Sequence, residues 1–312
     1  MKGRNKMEEI KIFGHKNPDT DTIMSSLVLE DLENKAGFNK VKAYRLGTVN
    51  KETEYALNFF KVEAPELLKE VEPGQKVMLV DHNEFSQSVD GIEKAKIIRV
   101  VDHHKIAEFQ TSEPLFYLAM PVGCTSTILY DMYKISNIEI SAKIAGLMLS
   151  AILSDTLLLK SPTCTPKDVE VANELAKIAG VDLHTYGLDM LKAGTDLSGF
   201  TPEELINIDS KPYTTKGIKY QAAQVNTVSI EDVLKDKEAI EKAIKDFMEA
   251  NNVDSFLLMI TDIIENNSQL IVLGKPEIAE KAFNVKLEDN MAFLPGVVSR
   301  KKQIVPQIES VL

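Results

Sequence analysis

The chain has 312 residues, 44% of them apolar and 27% charged, a composition typical of a folded globular protein. Its formal net charge of -11 argues against passive binding of polyanions, because sequence-independent affinity for nucleic acid comes from lysine and arginine. Cys124 and Cys164 are too few and too far apart for a disulfide framework. We therefore expect a cytoplasmic protein with no nucleic-acid partner, in which Cys124 packs rather than acts as a nucleophile.

No stretch of the sequence predicts a membrane segment. The basic start MKGRNK is followed by Glu8 and Glu9, where a signal peptide would need a continuous apolar core. The longest apolar run, IAGLMLSAILSDTLLL, is interrupted by Ser150, Ser154 and Asp155 and is typical of a buried helix. We expect no membrane partner.

Apolar runs alternate with helical patterns through the first two thirds of the chain. IKIFGH predicts a strand, DTIMSSLVLEDLENKAG a helix, KVKAYRLG a strand and TEYALNFFKV a helix. Two further strands are predicted at KVMLVDHN and KIIRVVDHH, and helices near 125–134, 140–154, 167–179 and 183–193. This order predicts an α/β domain with a mostly parallel sheet covered by helices on both faces.

The pattern changes after residue 192. Two glycines and a proline interrupt KAGTDLSGFTPEEL, so we predict a catalytic domain at 1–192, a linker at 193–205 and a second domain at 206–312. In the second domain, KYQAAQVNTV, SFLLMITDII and SQLIVLG predict strands, and a long charged helix is expected near 230–251. It should be a smaller α/β domain with a mixed sheet.

Four of the five histidines follow predicted strands. His15 follows IKIFG, His82 follows VMLVD, and His103 and His104 follow IIRVVD. Ligands of open α/β sheets bind outside the carboxyl ends of the strands, so we expect these side chains to converge. His184 lacks this setting and is expected to be structural.

Carboxylates accompany these histidines. They are Asp19, Asp21, Asp81, Asp102 and, at the end of an apolar helix, Asp155. So many carboxylates in one crevice would repel one another unless divalent cations lay between them. Imidazole and carboxylate together suit zinc, manganese, iron or cobalt, and there are enough donors for two ions about 3.5 to 4 Å apart. Taken singly, NPDTD could be only a turn and N-cap, and Asp155 only a helix end.

Positive charge is densest at SRKKQ, residues 299–303. Arginine offers a planar fork for phosphate oxygens and lysine a point charge, and Lys211 in DSKPY could add another cation. A solvated helix start is the simpler interpretation of an isolated basic triplet. Facing a metal centre, however, these residues would form a phosphate site.

In this order and at these separations, GHKNPDTD, VDHN, VDHH and SRKKQ resemble the manganese-dependent family II inorganic pyrophosphatases of the DHH phosphoesterase superfamily, over nearly the whole chain. The resemblance implies two Mn²⁺ per subunit, with Co²⁺ as an alternative, Mg²⁺ arriving with the substrate, and a homodimer joined through the N-terminal domain. It assigns His15, Asp19 and Asp81 to one metal. It assigns Asp21, Asp81, His103 and Asp155 to the second, so that Asp81 bridges the ions.

The same resemblance implies hydrolysis of pyrophosphate to two phosphates by a metal-bridged hydroxide in an interdomain cleft. Contacts to pyrophosphate are implied for His104, Lys211, Arg300 and Lys301, with Asp102 orienting the histidines. One alternative is a DHH-type exonuclease or nano-RNase, but those proteins carry a glycine-rich GGGH-like motif and no histidine follows His184 here. The other is a non-catalytic metal- or nucleotide-sensing protein, which would be marked by a missing ligand.

Overall fold

The structure, a computed structural model, describes residues 9–37, 40–197 and 199–312. The basic N-terminal residues considered above lie outside the described residues. The chain separates into two units, one ending at Gly194 and one beginning at Thr195, a division that falls within the segment predicted as a linker. The end of that segment is helical, because Thr201 and Glu204 form a reciprocal capping box around Pro202.

A six-stranded sheet forms the centre of the first unit. Its strands are β1 (Ile10–Phe13), β2 (Val41–Arg45), β3 (Glu66–Leu67), β4 (Lys76–Val80), β5 (Lys96–Asp102) and β6 (Phe116–Ala119). The order is β3-β2-β1-β4-β5-β6, and every neighbouring pair is parallel. Phe13 pairs with Leu79 and Val80 with Val101, so the carboxyl ends of the three central strands lie level with one another.

Among the described residues of this unit there are six α-helices. They are α1 (Thr20–Lys35), α2 (Lys51–Phe60), α3 (Thr125–Ile135), α4 (Ala142–Asp155), α5 (Pro166–Ala179) and α6 (Leu183–Gly194). Helix α4 is buried from Ile144 to Leu153 because it packs against α1, α3 and α5, as its all-round apolar sequence requires. On one face of the sheet, Phe13, Leu79 and Val100 pack with residues of the β3–β5 connections, among them Val71 and Ile92.

The second unit contains a five-stranded sheet. Its strands are β7 (Ser210–Thr215), β8 (Ile218–Thr227), β9 (Ser255–Asp262), β10 (Asn267–Leu273) and β11 (Met291–Pro295). The order is β11-β10-β9-β8-β7, and only β8 and β9 run parallel. The predicted α/β class, with a parallel sheet followed by a mixed one, is confirmed.

The helices of the second unit are short except for one. They are α7 (Pro202–Leu205), α8 (Ile230–Leu234), α9 (Lys237–Asn251), α10 (Pro276–Phe283), a π-helical turn (Arg300–Ile304) and α11 (Val305–Val311). The single helix predicted at 230–251 is wrong: it is broken into α8 and α9 because Asp236 leaves the helical backbone at φ -101° and ψ 19°. Among the described residues, no helix is long and apolar enough to cross a membrane.

Candidate metal centre

His15 follows β1 and lies against two carboxylates. Its Nε2 is 3.3 Å from Asp19 Oδ2 and 3.5 Å from Asp81 Oδ2. Burial alone would lower the pKa of His15, but hydrogen bonding to Asp19 and Asp81 outweighs it and raises the pKa to about 10. Asp19 also caps α1, since its Oδ1 accepts a hydrogen bond from Thr22 N at 3.0 Å. It therefore serves as both an N-cap and a potential metal donor.

Asp81 follows β4, is 2% exposed and has a left-handed backbone with φ 58°. Its two oxygens face different histidines: Oδ2 faces His15, and Oδ1 lies 3.4 Å from His103 Nε2. Thr22 Oγ1 donates to Oδ2 at 2.6 Å and Thr125 Oγ1 to Oδ1 at 3.3 Å. Burial opposes ionisation, yet the hydrogen bonds of His103 and His15 hold the pKa of Asp81 far below its usual range. An ionised carboxylate so oriented can bridge two cations.

Asp21 and Asp155 come together beside His103. Asp155 is the last residue of α4, and its Oδ2 lies 3.7 Å from His103 Nε2. Asp21 accepts hydrogen bonds from Ser25 Oγ at 2.6 Å and from Thr125 N at 2.8 Å. Burial raises the pKa of Asp21 to about 6 and that of Asp155 well above its usual range, and neighbouring carboxylates add to both shifts. A cation between them would offset this repulsion.

The donor set fits divalent transition metals. His15, Asp19 and Asp81 offer three donor atoms within 4.8 Å of one another, and so do Asp21, Cys124 and Asp155. Imidazole nitrogen with carboxylate oxygen is a ligand combination that manganese accepts. Cys124 is fully buried at the start of α3, and its thiol lies beside the Asp21 carboxylate.

The adjacent histidines differ in setting. His103 is largely buried, and its Nδ1 donates to the Val122 carbonyl at 3.1 Å, which turns Nε2 toward Asp81. The side chain of His104 is 52% exposed, and Asp102 Oδ1 accepts from its backbone N and contacts its Nδ1, both at 3.0 Å. The hydrogen bond to Asp102 raises the pKa of His104. His103 is therefore the more buried of the two, whereas His104 is half exposed and its Nδ1 also lies 3.5 Å from Asp81 Oδ1, so that Asp81, His103 and His104 form a further group of possible donors.

His82 shares the strand-end setting but points elsewhere. Its Nδ1 is 2.9 Å from the Val80 carbonyl and its Nε2 is 3.1 Å from Ser88 Oγ. Burial lowers the pKa of His82, so this imidazole is neutral near pH 7. It braces the turn after β4 and belongs to none of the donor groups among the described residues.

Several supporting residues were missed by sequence reasoning. Ser25 lies one turn beyond Asp21 on the same face of α1, which a helical-wheel argument could have found, while the adjacent Thr22 donates to Asp81 instead. Thr125 and Asn83 had no such signal. Asn83 is buried, donates to Asp102 Oδ2 at 2.7 Å and to the Lys105 carbonyl at 2.9 Å, and accepts from Ala107 N at 2.9 Å. It thereby ties Asp102 to the loop that carries His104.

The predicted phosphate-binding cations lie in the second unit. Lys211 is the exposed second residue of β7, and Lys301 is exposed in the π-helical turn. Arg300 is 7% exposed and forms an ion pair with the Asp209 carboxylate at 2.9 Å, while also donating to the Asp209 carbonyl. Asp209 precedes Lys211 by two residues, so this contact joins the start of β7 to the basic turn.

Both units match known domain families. Residues 9–152 match the DHH family, N-terminal domain, and residues 188–311 match the DHHA2 domain. The manganese-dependent inorganic pyrophosphatase of Bacillus subtilis (strain 168) is 57% identical over 302 residues, covering 96% of this chain and 97% of that protein. A solved structure from Methanococcus jannaschii, named a "putative family II inorganic pyrophosphatase", is 40% identical, has a TM-score of 0.62 and covers 97% of this chain and 99% of that one.

The parallel sheet with histidine and aspartate at its strand ends, followed by the mixed-sheet unit, defines a two-domain protein of the DHH class. Within that class, the chain belongs to the manganese-dependent inorganic pyrophosphatase family. The family predicted from the four motifs is thus confirmed.

Proposed function

We propose that this protein hydrolyses inorganic pyrophosphate to two phosphates at a pair of Mn²⁺ ions. The observation that carries the proposal is Asp81, whose two oxygens face His15 and His103 separately from a buried position. When bound, a metal pair neutralises phosphate charge and lowers the pKa of water enough for attack on phosphorus near neutral pH. The B. subtilis relative is named for this activity.

Two sets of side chains would hold the ions. His15, Asp19 and Asp81 are proposed for one ion, supported by the 3.3 and 3.5 Å separations of their donor atoms. Asp21, Asp81, His103 and Asp155 are proposed for the other. The hydroxyl and amide donors of Ser25, Thr22 and Thr125 fix the carboxylate orientations before any ion arrives. Such preorganisation lowers the cost of metal binding.

Pyrophosphate would be bound by cations. His104 is proposed to contact a phosphate oxygen, with Asp102 orienting its ring and raising its pKa through their hydrogen bond. Lys211, Arg300 and Lys301 are proposed to offset the charge that shifts to the leaving phosphate. Mg²⁺ is proposed to arrive with the substrate, because it keeps most of its waters and prefers phosphate oxygens.

We further propose a homodimer joined through the N-terminal domain, acting in the cytoplasm, with Co²⁺ able to replace Mn²⁺. The net charge of -11 supports a protein without a nucleic-acid partner. Domains at 1–192 and 206–312 joined by a linker are supported by the unit boundary after Gly194.

Phosphate release distinguishes this function from a DHH-type exonuclease or nano-RNase. The protein is freed of metal with a chelator, reloaded with Mn²⁺ or Co²⁺, and offered pyrophosphate, a dinucleotide or a nucleotide phosphodiester in the presence of Mg²⁺. Of the three substrates, we expect only pyrophosphate to release phosphate rapidly. The metal-free protein should release none. Cleavage of the dinucleotide with pyrophosphate untouched would overturn the proposal, and turnover of neither would favour a sensing protein.

A further inference from the structure

Glu52 is a partly buried residue that belongs to none of the motifs described for the metal centre. It is the second residue of α2, and burial raises its pKa above the ordinary value. A buried acid whose ionised form is disfavoured lowers stability unless its contacts compensate. Its contacts lead to the candidate metal centre, so the inference below rests on the proposed function.

One oxygen of Glu52 accepts two hydrogen bonds. Thr20 Oγ1 donates to Glu52 Oε1 at 2.6 Å, and Ser154 Oγ donates to the same oxygen. Thr20 lies 32 residues and Ser154 102 residues from Glu52 along the chain. Glu52 therefore joins the start of α1 to the end of α4.

The two donors are next to proposed metal ligands. Thr20 lies between Asp19 and Asp21, and Ser154 precedes Asp155. These three aspartates come from α1 and α4 and are proposed to serve both ions. The shared acceptor thus links the two segments that carry them.

Glu52 has little room to adopt another rotamer. The hydroxyl of Thr53, which is fully buried, lies 3.0 Å from Thr20 Oγ1 and fixes that donor. On the opposite side lies Gly194, the last residue of α6. A Cβ added to Gly194 would lie 2.8 Å from Glu52 Cβ and 3.0 Å from Glu52 Oε2. The carboxylate is enclosed by α1, α4 and α6.

We propose that Glu52 is a positioning residue for the metal centre, holding the α1 and α4 aspartates at the separation that binds Mn²⁺. Its two hydrogen bonds come from Thr20 and Ser154 rather than from a proposed ligand, and it acts through these two residues. Because the geometry of the acceptor carries this role, glutamine, whose amide oxygen can accept both bonds, should fulfil it.

Mn²⁺ affinity of the metal-free protein, measured by electron paramagnetic resonance of free Mn²⁺ during titration, tests this role. We expect Glu52→Ala to weaken Mn²⁺ binding by about 10-fold, the effect typical of losing a residue that orients ligands. Glu52→Gln should stay within about twofold of wild type on the same basis. Glu54→Gln, the matched control on the exposed face of α2, should bind as wild type does.

Ser154→Ala supplies a second variant in case Glu52→Ala folds poorly, and it should weaken binding in the same direction. The double variant Glu52→Ala/Ser154→Ala should be no weaker than Glu52→Ala alone, because both changes remove one linkage. Wild-type affinity in both single variants, or equal weakening by Glu52→Gln and Glu52→Ala, would overturn the proposal. Failure of the proposed function would appear instead in the wild type, as an absence of Mn²⁺ binding.

Discussion

The two groups of proposed functional side chains are built differently. In the first unit, Asp21 and Asp81 are buried and their carboxylates are fixed by hydroxyl or amide donors, although the side chains of Asp19 and His104 are 47% and 52% exposed. Those of the second unit include two exposed lysines, and only Arg300 is held, by Asp209. For the proposed function, the difference implies preorganised metal ligands and adaptable phosphate contacts. Substitutions in the first unit should abolish Mn²⁺ binding and turnover. Substitutions in the second unit should mainly lower the affinity for pyrophosphate.

The bridging carboxylate should give the largest effect. Asp81→Asn removes the charge shared by two ions, so we expect Mn²⁺ binding to be lost and turnover of pyrophosphate to fall by at least about 10³-fold. Asp90→Asn, an exposed aspartate in the same connection, serves as the control. Near-normal Mn²⁺ affinity in Asp81→Asn would show that the two halves of the centre are not joined at this residue.

Exposed cations should affect substrate binding more than chemistry. For Lys301→Ala we expect KM for pyrophosphate to rise about 30-fold, the effect of removing one charged partner, with Mn²⁺ affinity unchanged. Lys302→Ala changes the neighbouring exposed lysine and should stay within about twofold in KM on the same reasoning. Equal effects of the two changes would mean that the basic turn acts only through its general charge.

The variant Asn83→Ala tests whether Asn83 helps to position His104 through Asp102. Asn83→Ala frees Asp102 Oδ2 and the loop at Lys105 and Ala107, so we expect kcat to fall about 10-fold while Mn²⁺ binding is largely kept. Asn58→Ala, on the exposed side of α2, is the control. If kcat were unchanged, the Asn83–Asp102–His104 chain would have no part in positioning.

The raised pKa of Glu52 predicts a small dependence of the folding stability on pH. Burial raises its pKa, Ser154 and Thr20 partly offset this, and the charge of Asp19 adds to it. The folded state therefore binds the proton more tightly, and stability is lost as pH rises from the unfolded pKa through the folded one. In metal-free protein, the Tm of Glu52→Gln minus the Tm of wild type should increase as pH rises from about 4 to 8, because only the wild type loses this stability. A difference in Tm that stays constant over this range would contradict the raised pKa of Glu52.

The sequence predicted the candidate metal ligands better than the residues that hydrogen-bond to them. His15, Asp81 and His103 follow three parallel strands, and the carboxyl ends of adjacent parallel strands must lie together. Thr125 contacts Asp21 across 104 residues and Asn83 contacts Asp102 across 19, and both contacts depend on helix and loop placement rather than on periodicity.

The second unit was harder to predict because its contacts also depend on how distant segments are placed. Its three predicted strands are present, but β7 and β11 are half-exposed edge strands with weak apolar patterns. The Arg300–Asp209 pair joins residues 91 apart and left no local signal. Asp209 in IDSKPY could be recognised only once the start of β7 was known to lie beside the basic turn.

Asp81 is proposed to bridge a pair of Mn²⁺ ions. Crystals grown with Mn²⁺ and measured at its absorption edge would locate the ions directly by anomalous scattering. We predict two peaks per chain, about 3.5 to 4 Å apart, with one Asp81 oxygen on each. A single peak, or two peaks that share no oxygen of Asp81, would contradict this account.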